Sequence, residues 1–179
     1  MIKATHCPEP GPGKLHPSHR NEDLESYTEL LREKYRPKKS ILLIQVPQLQ
    51  FHSFDRSIAK DRCYYAYPPT GLQWIAKSLE NRDVQVDILD LNYELLKRVS
   101  EDESFEVKDW LKLLDEYLEK HDPSIVGVTC INVSKLFEGD NPFTQLLEHL
   151  KKKERHIVMS GGASALNHYS DLLKMGLCH

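Results

Sequence analysis

Four short apolar segments, separated by amphipathic stretches, constrain the fold of this 179-residue chain more than any other feature. The segments are residues 40–46, 84–89, 125–129 and 156–160, and each has the length of a β-strand. The first carries a continuous apolar run, which is typical of a strand that is covered on both faces. Because helical stretches separate the strands, the sequence predicts crossover connections and a parallel sheet.

Apolar residues at intervals of three and four predict the helices between these strands. Helices are expected from residue 24 to just before Pro37, around 72–79, over 107–118, from Asn141 to the basic run 151–155, and over 167–175. Ser100 and Glu103 match a capping box ahead of the third of these helices. Asn141 and Pro142 suit the cap and the first position of the fourth, and the basic run is interpreted as a solvated helix end. Residues 47–69 form a long connection, and ordered connections of that length are usually functional or mobile.

This order of elements predicts a doubly wound, three-layer α/β/α domain of the flavodoxin-like (Rossmann-like) type, with strands in the order 2-1-3-4. Ligands of such sheets bind beyond the carboxyl ends of the strands. Gly161 and Gly162 follow the fourth strand directly and expose backbone that a flat or bulky ligand can approach. A tight strand-to-helix turn explains the same pair equally well. Thr129 adds a hydroxyl at the end of the third strand, although a turn residue is the commoner interpretation.

The composition describes one domain with an appendage. The chain is 40% hydrophobic and 28% charged with a formal net charge of -3, which is ordinary for a globular protein and does not favour a nucleic-acid partner. Residues 1–38 are predicted to be a polar N-terminal extension with a short helix, whose first 20 residues form a loop or tail, and residues 39–179 the α/β domain. No apolar run approaches the roughly 20 residues that span a bilayer, so the expected location is cytoplasmic, without membrane contact.

Common catalytic motifs are missing from the sequence. It has no GxxxxGK[ST] phosphate loop, no GxSxG nucleophile elbow and no GxGxxG after the first strand. The cysteines are too scattered for a zinc knuckle or a CxxC motif and are interpreted as reduced thiols. They are Cys7, Cys63, Cys130 and Cys178. The sequence therefore predicts no catalytic residue and no metal ligand in this chain.

Several segments share their order and spacing with a known family. They are Pro47 after the first strand, the run 67–72 with its Pro-Pro-Thr-Gly, and the strands 84–92, 125–129 and 157–162. From residue 40 to the C-terminus, this set resembles the N-terminal cobalamin-binding domain of cobalamin-dependent radical SAM enzymes. The resemblance implies a corrin ring at the carboxyl edge of the sheet, with its nucleotide tail between the loops after the third and fourth strands.

The resemblance also implies roles for particular residues. Thr129 would offer a hydroxyl to the tail, Ser160, Gly161 and Gly162 would cradle it, and Thr70 with Gly71 would border the ring. The full set of implied cobalamin-binding residues is Gln48, Leu49, Thr70, Gly71, Thr129, Cys130, Asn132, Ser160, Gly161, Gly162 and Ala163.

In this family the domain holds the corrinoid for methyl transfer or oxidative cyclisation by a following radical domain, which carries S-adenosylmethionine and a [4Fe-4S] cluster. The CxxxCxxC cluster motif is absent here, so we expect a non-catalytic domain that stops before its last strand. Cobalamin proteins that supply a histidine to the cobalt carry D-x-H-x-x-G after the first strand, and this motif is also absent. His52, in the loop after the first strand, is accordingly predicted to lie on the surface or to pack within the loop.

The alternative is a flavodoxin-like interaction or regulatory domain that binds no cofactor. A phospho-acceptor receiver would need an acidic cluster after the first strand, and a flavin domain would need a Ser/Thr-rich phosphate loop there. The sequence Val46-Pro47-Gln48 provides neither.

Overall fold

The structure is a computed structural model and describes residues 17–49, 51–61, 64, 67–129 and 141–179. The chain divides into two compact units, Met1–Arg36 and Pro37–His179. In the first unit, helix α1 spans Pro17–Tyr35. Residues 17–20 were predicted to be part of a loop, and this prediction is wrong because they form the first turn of α1. A proline such as Pro17 is well suited to the first helical position, since its missing N–H costs no hydrogen bond there.

The second unit contains a four-stranded sheet. Its strands are β1 (Ser40–Gln45), β2 (Gln85–Asp90), β3 (Ile125–Thr129) and β4 (Ile157–Gly161). The strand order is β2-β1-β3-β4 and every pairing is parallel. The predicted order and direction are therefore confirmed. The register aligns Gln45 with both Asp90 and Thr129, so the carboxyl ends of the three strands meet at one edge.

Helices connect the strands on both faces of this sheet. They are α2 (Arg56–Lys60), α3 (Thr70–Leu79), α4 (Leu91–Glu101), α5 (Leu111–His121), α6 (Pro142–Lys153) and α7 (Ala163–Lys174), with 3-10 helices at Phe51–Ser53 and Val107–Asp109. The architecture is a three-layer α/β/α fold of the flavodoxin-like type, as predicted.

Helix α4 was not anticipated from the sequence. The Asp90 side chain begins it by accepting hydrogen bonds from the backbone N–H groups of Asn92 and Tyr93, each at 3.1 Å. The predicted capping box is wrong, because Ser100 lies inside α4 and donates its hydroxyl to the Leu96 carbonyl at 2.8 Å. Glu103 instead forms an ion pair with Lys60.

The main core lies on one face of the sheet. Alternate strand residues point to it and pack against helices α4 to α7. The buried strand residues of this core are Leu42, Ile44, Leu89, Val126, Val128 and Val158. The predicted apolar stripe of α6 is fully buried here, at Phe143, Leu146, Leu147 and Leu150.

The opposite face is only partly covered. Helix α3 packs over β1 and β2 there, burying Leu72. Ile75 of α3 remains exposed, and Met159 of β4 is 53% exposed. A parallel sheet normally has both faces covered, so this incomplete cover leaves space against the sheet.

The connection between β1 and α3 is ordered where the structure describes it. It contains the 3-10 helix Phe51–Ser53 and helix α2. Arg56 anchors α2 by donating to the backbone carbonyls of Val99 at 2.9 Å and Asp102 at 3.0 Å, and also to that of Phe105. A guanidinium that satisfies the carbonyls at the end of α4 holds this segment against the domain.

Candidate functional site

A cavity of about 630 Å³ lies on the partly covered face of the sheet, between α3 and the strands β1, β3 and β4. Its walls come from β1, β3 and β4, from α3 and from the segment ahead of α3. The lining residues used below are Ile41, Leu43, Gln45, Thr70, Gly71, Leu79, Ile125, Gly127, Thr129, Met159, Ser160, Gly161 and Gly162.

The cavity runs along the strands from their carboxyl ends toward their beginnings. Strand alternation places Ile125, Gly127 and Thr129 of β3 in one row along it, and β1 contributes a parallel row from Ile41 to Gln45. Four residue steps of roughly 3.3 Å separate Ile125 from Thr129, so the row is roughly 13 Å long. We call the end of the cavity at the carboxyl ends of the strands its mouth, and the lining toward the strand beginnings its floor.

Three of the lining glycines differ in the space around them. A Cβ on Gly127 would lie 2.9 Å from Leu43 Cδ2, so any side chain there would force Leu43 to move. A Cβ on Gly71 or on Gly161 would meet no atom within 4 Å. These two positions border open space and do not need a glycine for packing.

The structure separates the two interpretations of the Gly161-Gly162 pair. Gly162 has a φ of 91°, in the region that favours glycine, and directly precedes α7, so it serves the strand-to-helix turn. Gly161 does not have a positive φ and has open space beside it. The turn explains Gly162, whereas the absence of a side chain at Gly161 keeps the cavity open.

A buried polar network holds the mouth of the cavity. Gln45 is 2% exposed and donates its Nε2 to the Tyr67 carbonyl at 2.9 Å, with Asp90 Oδ1 at 3.5 Å. Buried Asn92 accepts from the backbone N–H of Gln48 at 3.0 Å. These bonds fix both ends of the β1–α3 connection to the end of β2.

Asp90 is the ionisable side chain of this network, and its carboxyl group is half-buried. Burial raises the pKa of its carboxyl, although the N–H groups of Tyr93 and Asn92 oppose the shift. Sequence reasoning missed Gln45, Asp90 and Asn92. The sequence pattern that could have identified them is a polar residue at the end of an apolar strand, which occurs in both β1 and β2.

The structure brings part of the implied binding set together. The implied residues that line the cavity are Thr70, Gly71, Thr129, Ser160, Gly161 and Gly162. Gln48 is exposed, Leu49 packs against the main core, and Ala163 begins α7. Cys130 and Asn132 lie outside the described residues.

The apolar floor of the cavity was not anticipated from the sequence. It consists of Ile41, Leu43, Leu79, Ile125 and Met159, with Gly127 between them. The available signal was the alternation within β1 and β3, which sends every second residue to the face that α3 only partly covers.

Within the described residues, no group of three or more His, Cys, Asp or Glu side chains is placed to hold a metal ion. His52 lies exposed on the 3-10 helix Phe51–Ser53, apart from the residues that line the cavity. None of the helices in the described ranges combines the length and hydropathy needed to span a bilayer.

Comparisons of the chain with protein-family models, with curated proteins and with solved structures give no match. The function is therefore argued from the cavity and from the residues that line it.

Proposed function

We propose that the unit Pro37–His179 is a cobalamin-binding module that takes the nucleotide tail of the corrinoid into the cavity and holds the ring at its mouth. The observation that carries this proposal is the open cavity of about 630 Å³ beside Gly161. It reaches the carboxyl edge of the parallel sheet, where the strand order reverses between β1 and β3. Ligands of doubly wound sheets bind at this place.

The residues present fit such a ligand. The hydroxyl of Thr129, at the end of the β3 row that lines the cavity, suits the polar sugar and phosphate of a nucleotide tail. The apolar floor suits an aromatic base. Gly71 and Gly161 leave the approach free of side chains. When bound, cobalamin supplies a cobalt that carries a methyl group or an electron, and this chain's own part is to bind and orient it.

The use of the corrinoid follows from the same proposal. We propose that the bound corrinoid serves a radical SAM domain of a longer cytoplasmic protein. That domain would supply S-adenosylmethionine and a [4Fe-4S] cluster for methyl transfer or oxidative cyclisation. Thr129 and Ser160 would then hold the tail while the ring faces that partner. The support for this assignment is the order of sequence segments described above together with the cavity.

Substitution at Gly161 tests the proposal. The purified chain is expected to retain hydroxocobalamin after desalting, measured by visible absorbance. Gly161→Ala is expected to weaken retention and Gly161→Val to weaken it further, by about tenfold or more, because the larger side chain occupies space the ligand needs. Neither side chain would meet a protein atom at its Cβ, so urea unfolding should give nearly the same stability for all three proteins.

Two outcomes would contradict the proposal. One is a folded parent chain that retains no cobalamin. The other is retention that is unchanged in both Gly161 variants, which would place the ligand elsewhere.

A second candidate function, an interaction module without cofactor, is favoured by a different surface. Helix α7, which is kinked at His168, exposes Leu166, Tyr169 and Leu173 at 74%, 63% and 50%, and the three side chains line one shallow depression. Exposed apolar surface of this kind is typical of a protein-binding face. A folded chain that binds no corrinoid but loses a protein contact in Leu166→Ser would favour this function.

A further inference from the structure

One wall of the cavity is the short stretch 67–71, which leads into α3 and is called the wall segment below. Its residues Pro68, Pro69, Thr70 and Gly71 line the cavity. None of its five residues is buried, and Tyr67 is 64% exposed. A segment without buried apolar side chains is free to move unless particular bonds hold it. The position of this wall therefore depends on how the segment is anchored.

The hydrogen bonds that shape the wall segment are local. The N–H and the hydroxyl of Thr70 donate to the Pro68 carbonyl at 2.7 and 3.3 Å, and the N–H of Gln73 donates to the Pro69 carbonyl at 3.0 Å. Pro68 and Pro69 have no backbone N–H to offer to a neighbour. These bonds form the turn into α3 but do not attach the segment to the sheet.

Gln45 attaches the wall segment to the sheet. It is the last residue of β1, is 2% exposed and lines the cavity. Its Nε2 donates to the Tyr67 carbonyl at 2.9 Å and lies 3.5 Å from Asp90 Oδ1, so both neighbours are hydrogen-bond acceptors. An amide nitrogen has two N–H groups and can serve both. A carboxylate in the same place would bring a third acceptor and a second negative charge beside Asp90.

We infer that Gln45 is a positioning residue of the ligand site, which acts through the Tyr67 carbonyl to hold the wall segment where the ligand needs it. This inference rests on the proposed cobalamin function and adds a residue that the resemblance does not implicate. A wall that is already in place leaves little to order on binding, whereas a loose wall takes up part of the binding free energy. By thermodynamic linkage, the bound ligand should in turn stabilise the anchored position of the segment.

Gln45→Met tests the inference directly. Methionine has nearly the same length as glutamine but no N–H, so the wall segment loses its bond to β1. Hydroxocobalamin should bind this variant about tenfold more weakly than the parent chain, as measured by equilibrium dialysis with absorbance detection. Without ligand, hydrogen exchange followed by mass spectrometry should be faster in residues 67–73 of the variant than in the parent.

Gln145→Met is the matched control. Gln145 Oε1 accepts from the Nε1 of buried Trp110 at 3.3 Å, and Gln145 does not belong to the cavity lining. This substitution also leaves a buried polar group without its partner, but it does so away from the wall segment. It should keep the parent's affinity for hydroxocobalamin and the parent's exchange in residues 67–73. Equal weakening of binding in both methionine variants would reflect a general loss of stability and would overturn the inference.

Gln45→Glu allows rescue by protonation. A protonated carboxyl can donate to the Tyr67 carbonyl, whereas an ionised carboxyl can only accept. Asp90 is the ionisable group that the structure places beside this position, and two neighbouring carboxyls favour protonation of one of them. The affinity of Gln45→Glu, relative to the parent at the same pH, should therefore rise between about pH 8 and about pH 5.5. The relative affinity of Gln45→Met should stay constant over this range.

The possible results separate the inference from the function on which it rests. If the folded parent chain binds no hydroxocobalamin, the proposed function is wrong and the inference falls with it. If Gln45→Met binds hydroxocobalamin as tightly as the parent, the function stands and the inference is overturned. A Gln45→Glu variant that stays as weak as Gln45→Met down to about pH 5.5 also overturns it. If Gln45→Met does not fold, the pH dependence of Gln45→Glu decides. Weaker binding and faster exchange in Gln45→Met, with neither change in Gln145→Met, support the inference.

Discussion

At the scale of single residues, adjacent glycines serve different purposes. The sequence could not separate a turn from a ligand site at Gly161-Gly162, because the two interpretations need the same residue type. The difference lies in the positive φ of Gly162 and in the open space beside Gly161, and both depend on the folded chain. Gly127 is similar, because the clash that a Cβ there would make with Leu43 on the neighbouring strand can be recognised only once the β1–β3 register is known.

His52 provides a prediction at this scale. It is exposed on a 3-10 helix and is not among the residues that line the cavity. We therefore predict that bound cobalamin has its own base detached and buried, and that no protein nitrogen reaches the cobalt. Electron paramagnetic resonance of the Co(II) form should show no nitrogen superhyperfine splitting.

The control for this measurement is a second histidine variant. His121→Ala changes an exposed histidine at the end of α5, and its spectrum should match that of His52→Ala and of the parent chain. Nitrogen splitting that vanishes only in His52→Ala would show a histidine ligand and would overturn the prediction.

At the scale of elements, local chemistry determined which helices could be predicted. Helix α6 was recognisable because Asn141, Pro142 and an apolar stripe agree on its position. Helix α4 was missed because its cap, Asp90, is also the last residue of β2, so strand and helix signals overlap. Leu91, Leu95 and Val99 carried the missed stripe, and all three are fully buried. The basic run 151–155 closes α6 as a largely exposed helix end, as expected, and Lys151 also donates to the Met175 carbonyl at 2.6 Å.

The cap of α6 gives a prediction for this element. The Asn141 side chain accepts hydrogen bonds from the N–H groups of Phe143 at 2.9 Å and Thr144 at 3.4 Å. Asn141→Ala removes that acceptor and should lower the free energy of unfolding by about 1 kcal/mol, whereas Asn141→Gly should cost only a few tenths. Urea unfolding measures both. Asn81→Ala, in an exposed turn, is the control and should stay within about 0.5 kcal/mol of the parent. Equal losses at Asn81 and Asn141 would refute the role of the cap.

At the scale of the whole domain, sheet topology was predictable and the cavity was not. Strand order follows from local apolar patterns and from the rules for parallel crossovers. The cavity depends instead on how far α3 extends over the second face, which is a property of tertiary packing. The Gln45 network was hidden for the same reason, because Tyr67 and Asp90 reach Gln45 only when β1 and β2 pair.

The pH dependence of global stability yields the last prediction. His156 is buried directly before β4, and its Nδ1 donates to the Pro123 carbonyl at 2.6 Å. Burial lowers the pKa of this imidazole, the Pro123 carbonyl opposes the shift, and nearby Arg155 reinforces it. The folded state therefore binds a proton on His156 less readily than the unfolded state, whose histidine pKa is about 6.5.

Stability from neutral His156 should accordingly be complete above the unfolded pKa of about 6.5 and should be lost as pH falls through the lower folded pKa. In that window the free energy of unfolding should fall by up to about 1.4 kcal/mol per pH unit from this one group. His156→Gln should be less stable near neutral pH, because it disturbs a buried contact, and should show a shallower decline on acidification. Urea unfolding of both proteins from neutral pH to pH 5 measures the difference, and equal m-values would show that the same surface unfolds in each. Parallel declines in the two proteins would mean that other groups determine the acid sensitivity and that His156 does not contribute to it.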